Sequence, residues 1–270
     1  MPILWLRVAL CFYGVGLAYA LLALTRRSEL LNRVGLPAML LGMVFQFVSL
    51  TETVLLSGHL TTAWVDNSES LLALLSMAFL LAVYLLYRTS SLGIVVFPIV
   101  FLLTFVAATG SQPALFVTPV IKKGWLIAHI AMIFTGYAAL FLSFGASLLY
   151  LVQERRLKSK NSGLLSRLPA LETIDEIGYR ALLIGFPFMT LGLVAGTVVA
   201  QSTYGHLDFL DPKIALSVLM WAVYLVMLYT RWSSGWRGRR AALLATLAFA
   251  VAIVAWLANY FSGMHRFVSS

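Results

Sequence analysis

Long apolar runs separated by short polar segments make up most of this chain. A helix needs roughly 17 to 25 apolar residues to cross about 30 Å of hydrocarbon, and runs near that length occur at eight places. Single strands would leave their backbone groups unpaired in lipid, so the runs predict helices. The predicted spans are residues 3–24, 36–56, 71–87, 92–108, 125–151, 181–200, 214–229 and 241–261.

Composition agrees with this pattern. Hydrophobic residues make up 61% of the chain and charged residues 11%, and the mean hydropathy is +0.93. Such values are typical of integral membrane proteins. We therefore expect an all-α, polytopic membrane protein with about eight transmembrane helices, folded as a single membrane domain over residues 1–270.

Basic residues predict the orientation of the spans. If the N-terminus is extracytoplasmic, 14 of the 19 Lys and Arg residues fall on one side of the membrane. The positive-inside rule assigns that side to the cytoplasm, so both termini are predicted to be extracytoplasmic. The net charge of +9 then reflects topology rather than nucleic-acid binding. We expect a multi-pass protein of the bacterial cytoplasmic membrane.

Several kinds of chemistry are excluded by the residues present. Cys11 is the only cysteine, so neither an internal disulfide nor a covalent CxxCH haem attachment can form. The chain also has no paired carboxylates, nucleophile and base set, phosphate-binding loop or zinc-protease motif. We therefore expect a protein that is not an enzyme.

The four histidines, His59, His129, His206 and His265, all fall on the predicted extracytoplasmic side. Imidazole is well suited to bind haem iron or a transition metal. His129 lies about one turn inside the fifth span, where a polar ring must be hydrogen-bonded or ligated. Loops on this side also supply aromatic and cationic side chains for a porphyrin ring and its propionates. The sequence predicts an external haem or metal site, with unrelated surface histidines as the alternative.

Three further features each have two interpretations. Glu52 lies inside the second span, where we expect a hydrogen bond to a histidine or a loop backbone, with a proton relay as the alternative. Small residues at helical spacing within 129–147, and the pair Gly192 and Gly196, favour close helix packing over a substrate path. The cytoplasmic loop 152–180 favours an interfacial helix over a docking surface for an enzyme.

An ordered set of motifs runs through the second half of the chain. It consists of Trp125 and His129 at the start of a span, Gly185 with Phe186 and Pro187, Gly192 with Gly196, Asp211 with Pro212 and Lys213, and Gly235 to Arg240 before His265. In this order the residues resemble the cytochrome c assembly family of haem-handling membrane proteins, and most closely its HemX-like branch. The resemblance covers a C-terminal four-helix part, residues 125–270. The N-terminal four-helix part, residues 1–108, matches only in length and topology.

The resemblance implies a specific site. In that family, two extracytoplasmic histidines on either side of a tryptophan-rich loop bind haem as axial ligands. Carried over by position, the ligands of a non-covalent haem b are His129 and His265, and the loop is 204–213. The other expected site residues are Tyr204 and Phe209 against the macrocycle, Lys213 and Arg266 near the propionates, and His206 and Asp211 in the same loop.

The loop departs from the family pattern WGxxWxWDPKE. Tyr204, Asp208 and Leu210 stand at its three tryptophan positions, and Ile214 replaces its glutamate. Each lost aromatic contact removes about 0.5 to 1.5 kcal/mol of stacking. The departure therefore reduces the surface on which a macrocycle could lie.

One leading function and two alternatives follow. The leading hypothesis is a haem-binding protein for cytochrome c biogenesis or haem transport, with haem, the lipid bilayer and other cytochrome c assembly proteins as partners. The first alternative is a membrane regulator of tetrapyrrole biosynthesis that acts on a cytoplasmic enzyme such as glutamyl-tRNA reductase. The second is a small-solute transporter, which would need polar groups across the bilayer midplane, where Gln46 is one of few candidates.

Overall fold

A computed structural model describes residues 1–22, 31–57, 67–109, 120–159, 169–204 and 212–258. Throughout these ranges the secondary structure is helical, with one π-helical turn, Leu31–Gly35, ahead of the second α-helix. The α-helices of the described ranges are α1 (Pro2–Leu22), α2 (Leu36–Ser57), α3 (Ser68–Tyr87), α4 (Gly93–Thr109), α5 (Val120–Lys158), α6 (Leu171–Tyr204), α7 (Pro212–Ser233) and α8 (Arg239–Ala258).

The helices have the length and composition of membrane spans. Six helices in the described ranges are long and apolar enough to cross a bilayer, and α4 is apolar but only 17 residues long. The predicted class, an all-α polytopic membrane protein, is confirmed. The count of eight spans and the extracytoplasmic position of both termini stay predictions.

The two longest helices correct the predicted loop 152–180. Helix α5 continues to Lys158 and α6 begins at Leu171, so most of that segment is helical. At 1.5 Å per residue, the 39 residues of α5 extend about 58 Å, which exceeds the roughly 40 to 45 Å of a whole bilayer. Charged residues occupy the last turn of α5 and the first turns of α6, as expected for helix ends that continue past the hydrocarbon.

Helix α5 contributes to both main hydrophobic cores. In the first core, α1, α3 and α4 pack against Phe141, Leu142 and Ala146 of α5. In the second, Met189 of α6 and Tyr224 of α7 pack with Leu140 of α5 and with α8. Contacts across the bundle thus converge on α5, the helix that carries His129.

Neighbouring helices of the C-terminal part run antiparallel. Trp221 of α7 donates to Thr190 of α6 (3.0 Å), and Trp232 near the end of α7 donates to Tyr179 near the start of α6 (2.6 Å). Gly196 of α6 approaches His129 of α5, and Gly178 of α6 approaches Ala146 of α5, so these two helices are antiparallel as well. The C-terminal end of α6 and the N-terminal end of α7 therefore lie at the same end of the bundle as the start of α5. We call this the histidine end, defined by residues 120–130 and 196–204, and the opposite end, defined by residues 150–158 and 231–240, the arginine end.

A buried polar network joins the first three helices. Gln46 of α2 is fully buried, accepts a hydrogen bond from the Tyr13 hydroxyl of α1 (2.6 Å), and donates to the backbone oxygen (2.9 Å) and the hydroxyl (3.2 Å) of Ser70 in α3. Burying a polar group without a partner is costly, so these bonds fix the relative positions of the three helices. The polar group considered above for a transport path thus serves helix packing here.

Candidate functional site

His129 is the predicted site residue whose side chain the structure describes, and it packs against α6. Its Nδ1 lies 2.7 Å from the backbone oxygen of Gly192. A carbonyl can only accept, so Nδ1 carries the proton and donates it. In the neutral ring the lone pair then belongs to Nε2, which is the arrangement of histidines that bind a metal through Nε2.

Gly196, one turn further along α6, leaves the space that the imidazole occupies. A Cβ at this position would lie 2.7 Å from Cε1 and 2.8 Å from Nδ1 of His129. Any larger residue at position 196 would therefore displace the ring. Gly192 and Gly196 together form a notch that orients the imidazole through one hydrogen bond and one close approach.

The glycine face continues along the contact between α5 and α6. A Cβ on Gly192 would meet Ile133 at 2.8 Å, and one on Gly185 would meet the Cβ of Ala139 and the hydroxyl of Tyr224 at 2.7 Å. These contacts confirm the predicted close-packing role of the small residues in 129–147 and of the Gly192 and Gly196 pair. Small residues let membrane helices approach closely, because lipid provides little hydrophobic driving force between them.

The C-terminal part of α2 and the start of α3 also lie near His129. Leu50 of α2 and Leu71 of α3 form a buried cluster with Ile130 of α5. Glu52 therefore lies at the histidine end, where its Oε1 pairs with the N-terminal ammonium of Met1 at 2.6 Å. The expected hydrogen bond to a histidine or a loop backbone stays a prediction, because the loops of this end and the histidines other than His129 lie outside the described residues.

The remaining predicted site residues fall at or beyond the edges of the described ranges. Tyr204 is the last residue of α6 and Lys213 lies in the first turn of α7. The side chains of both lie outside what the structure describes. The other predicted residues lie entirely outside the described ranges; they are His59, His206, Phe209, Asp211, His265 and Arg266. The two helices nevertheless place both ends of the predicted loop at the histidine end.

A second polar cluster, at the arginine end, was not predicted. Asp175 of α6 accepts two hydrogen bonds from the Arg231 guanidinium of α7, at 2.9 and 2.7 Å, and both side chains are largely buried, at 14% and 12% exposed. Asp175 also accepts from the Gly238 N–H at 3.1 Å, and Arg231 lies 4.4 Å from the centroid of the Tyr179 ring. An acidic residue in a mostly apolar helix was the available signal, but its partner is 56 residues away.

Comparison with known proteins places the chain in a family. Residues 64–265 match the family model described as "Cytochrome C assembly protein", so the match begins well before the residues that carried the resemblance. A protein from Guillardia theta named "Cytochrome c biogenesis protein CcsA" is 29% identical over 250 residues, covering 81% of this chain and 82% of its own. A protein of the same name from Prochlorococcus marinus (strain MIT 9312) is 34% identical, covering 54% of this chain and 54% of its own. Another from Heterosigma akashiwo (strain NIES-293 / 8280G21-1) is 26% identical, covering 82% of this chain and 84% of its own. The HemX-like branch of the resemblance stays a prediction. The family match covers well over half of the sequence, so the chain belongs to the cytochrome c assembly protein family.

Proposed function

We propose that this membrane protein acts in cytochrome c biogenesis by holding haem b non-covalently at the histidine end, with His129 and His265 as axial ligands. The observation that carries the proposal is the hydrogen bond from His129 Nδ1 to the Gly192 carbonyl (2.7 Å). Metal-binding histidines commonly donate their second ring nitrogen to a carbonyl or carboxylate, which fixes the tautomer and the ring orientation. The names of the relatives support the biogenesis role.

The register of α5 and α8 supports the pairing with His265. Phe249 of α8 stacks on Phe144 of α5 with ring centroids 4.0 Å apart, and Tyr150 meets Gly238, so the two helices run antiparallel. From this stack, His129 is 15 residues towards the histidine end along α5, about 22 Å of helix. His265 follows Phe249 by 16 residues in the sequence, so the chain is long enough to bring it to the level of His129.

The loop between α6 and α7 would cover the macrocycle. Gly196 is eight residues before Tyr204, so about 12 Å of helix separates the imidazole notch from the start of this loop. We propose that Tyr204 and Phe209 lie against the ring and that Lys213 or Arg266 approaches the propionates. In this proposal His206 and Asp211 complete the loop, the haem supplies the iron, and the protein itself makes or breaks no covalent bond.

The test is the visible spectrum of the purified full-length protein titrated with haem. We expect a six-coordinate low-spin spectrum, converted to a five-coordinate one by His129→Gly or by His265→Gly. Added imidazole should restore the six-coordinate spectrum in both variants, which separates ligand loss from misfolding. His59→Gly serves as the matched control and should keep the wild-type spectrum.

Two results would end the proposal. One is a Soret band that neither ligand substitution changes. The other is an equal loss in the His59→Gly control, because the iron would then be bound by another histidine. The location of the histidine end is tested separately. We propose that this end faces outward from the bacterial cytoplasmic membrane. In a Cys11→Ser background, which lacks the native thiol, Gly124→Cys should then react with an impermeant thiol reagent in intact cells.

A further inference from the structure

The turn between α7 and α8, residues 234–238, and the start of α8 carry arginines that form no ion pair with the acidic residues the structure describes. Arg237, Arg239 and Arg240 are all exposed. Of the ion pairs formed in the described part of the chain, none includes any of the three. The sequence contains no Asp or Glu after Asp211. Three positive charges therefore face outward from one short segment, which we call the arginine turn (residues 234–240).

The backbone of the arginine turn is held by the buried ion pair at its base. The Gly238 N–H donates to Asp175 (3.1 Å), whose two oxygens also accept from Arg231. Gly235 and Gly238 both have positive φ, +61° and +64°, and the Tyr150 hydroxyl occupies the space where a Cβ of Gly238 would stand. Because Asp175 is already fully engaged, it does not neutralise the exposed arginines.

Aromatic side chains place the arginine turn at the boundary of the hydrocarbon. Tyr229 and Trp232, in the last two turns of α7, are 64% and 66% exposed although α7 is an apolar helix. Exposed Trp and Tyr at the ends of membrane helices typically lie at headgroup depth. The Arg240 guanidinium lies 5.6 Å from the centroid of the Trp236 ring, which turns this charge along the same boundary.

Other exposed arginines at the same end lie further from the hydrocarbon. Helix α5 passes the arginine turn at Tyr150, which packs against Gly238. Arg155 and Arg156 follow five and six residues later, about 8 Å further along the helix axis. These two residues form a comparable pair of positive charges outside the aromatic boundary.

We propose that the arginine turn binds the headgroup of an anionic phospholipid. The guanidinium group presents a planar fork of N–H donors that matches a phosphate, and three of them here lie on one ordered segment beside boundary aromatics. A lipid is favoured over a soluble anion because the flanking Tyr229 and Trp232 side chains are exposed and apolar, and so suit contact with the lipid itself. Each basic residue near an anionic membrane surface is expected to strengthen binding about fivefold.

The test is lipid binding by the purified full-length protein in zwitterionic nanodiscs, followed by native mass spectrometry as phosphatidylglycerol is added. We expect phosphatidylglycerol to be retained in preference to phosphatidylcholine. Arg239→Gln/Arg240→Gln should weaken that retention about 20-fold. The matched control Arg155→Gln/Arg156→Gln removes the same charge and should stay within about twofold of wild type.

Three results would overturn the proposal. The first is no preference for phosphatidylglycerol, and the second is an equal loss of retention in the Arg155 and Arg156 control. The third is displacement of the retained lipid by inorganic phosphate, which would indicate a site for a soluble anion. The substituted side chains are exposed, so the fold should survive. If the double variant does not fold, Arg239→Gln alone should weaken retention about fivefold, and unchanged retention would again overturn the proposal. Haem addition is not needed for any measurement, so failure here and failure of the proposed function are distinguishable.

Discussion

Gly196→Ala tests directly whether α6 positions His129. The added Cβ would lie 2.7 Å from Cε1 and 2.8 Å from Nδ1 of the imidazole. Non-bonded carbons make favourable contact at about 3.5 to 4.0 Å, so the ring would have to withdraw by about 1 Å. The distance from Nδ1 to the Gly192 oxygen would then grow from 2.7 Å beyond the usual limit of about 3.2 Å for a hydrogen bond. Losing the group that orients a metal ligand typically lowers metal affinity about 10- to 100-fold.

The assay is a titration of the purified protein with haem, followed at the Soret band, from which we expect at least a tenfold weaker affinity in Gly196→Ala. Gly124→Ala is the matched control, because a Cβ there meets no atom within 4 Å. Gly136→Ala would bring a Cβ to 3.2 Å from Met189, a milder contact that does not touch His129, and should therefore weaken haem affinity less than Gly196→Ala. Wild-type affinity in Gly196→Ala, or an equal loss in Gly136→Ala, would refute the reasoning.

Further predictions concern stability at the arginine end, measured as thermal unfolding in detergent. Asp175→Asn leaves the largely buried Arg231 without its anionic partner, and breaking such a pair costs about 3 to 5 kcal/mol, so we expect a clearly lower unfolding temperature. An unchanged temperature would contradict a structural role for the pair. Gly235→Ala and Gly238→Ala both put a side chain at positive φ, a cost of about 1 to 2 kcal/mol. Gly238→Ala should be the more destabilising, since its Cβ alone would lie 2.5 Å from the Tyr150 hydroxyl, and equal effects would argue against that contact.

The positions of the helices followed from hydropathy, because the thickness of the hydrocarbon sets the length of an apolar run. Their ends did not. Helix α6 begins at Leu171, ten residues before the predicted start at residue 181, and includes Asp175 and Glu176. Hydropathy marks the part of a helix that lies in hydrocarbon, whereas the backbone hydrogen bonds of α6 also run through charged residues such as Asp175, whose carboxylate is paired with Arg231. The apolar pattern therefore predicted which segments are helical better than where each helix stops.

For the described part of the candidate site, the sequence indicated the residues but not their contacts. A histidine inside an apolar span is recognisable from local sequence, and a glycine pair four residues apart is a known packing signal. That His129 is the group packed against Gly192 and Gly196 depends on the register of two helices, because donor and acceptor are 63 positions apart in the sequence. The pairing of Asp175 with Arg231 depends on register in the same way, and no periodicity within one helix encodes it.

One glycine face packs α5 on α6 and also orients the imidazole, so the two properties are coupled. Gly185, Gly192 and Gly196 lie along α6 and receive, in that order, Ala139, Ile133 and His129 from α5. A shift of α5 relative to α6 that relieves the contact at Gly185 must also move the ring relative to the Gly192 carbonyl. The hydrogen-bonding partner of the ring is a backbone atom of a packed helix, so its position changes only if the helices themselves move. If His129 binds iron as proposed, a ring held in this way would lose little freedom on binding, which is the physical advantage of a ligand in a helix contact over one in a loop.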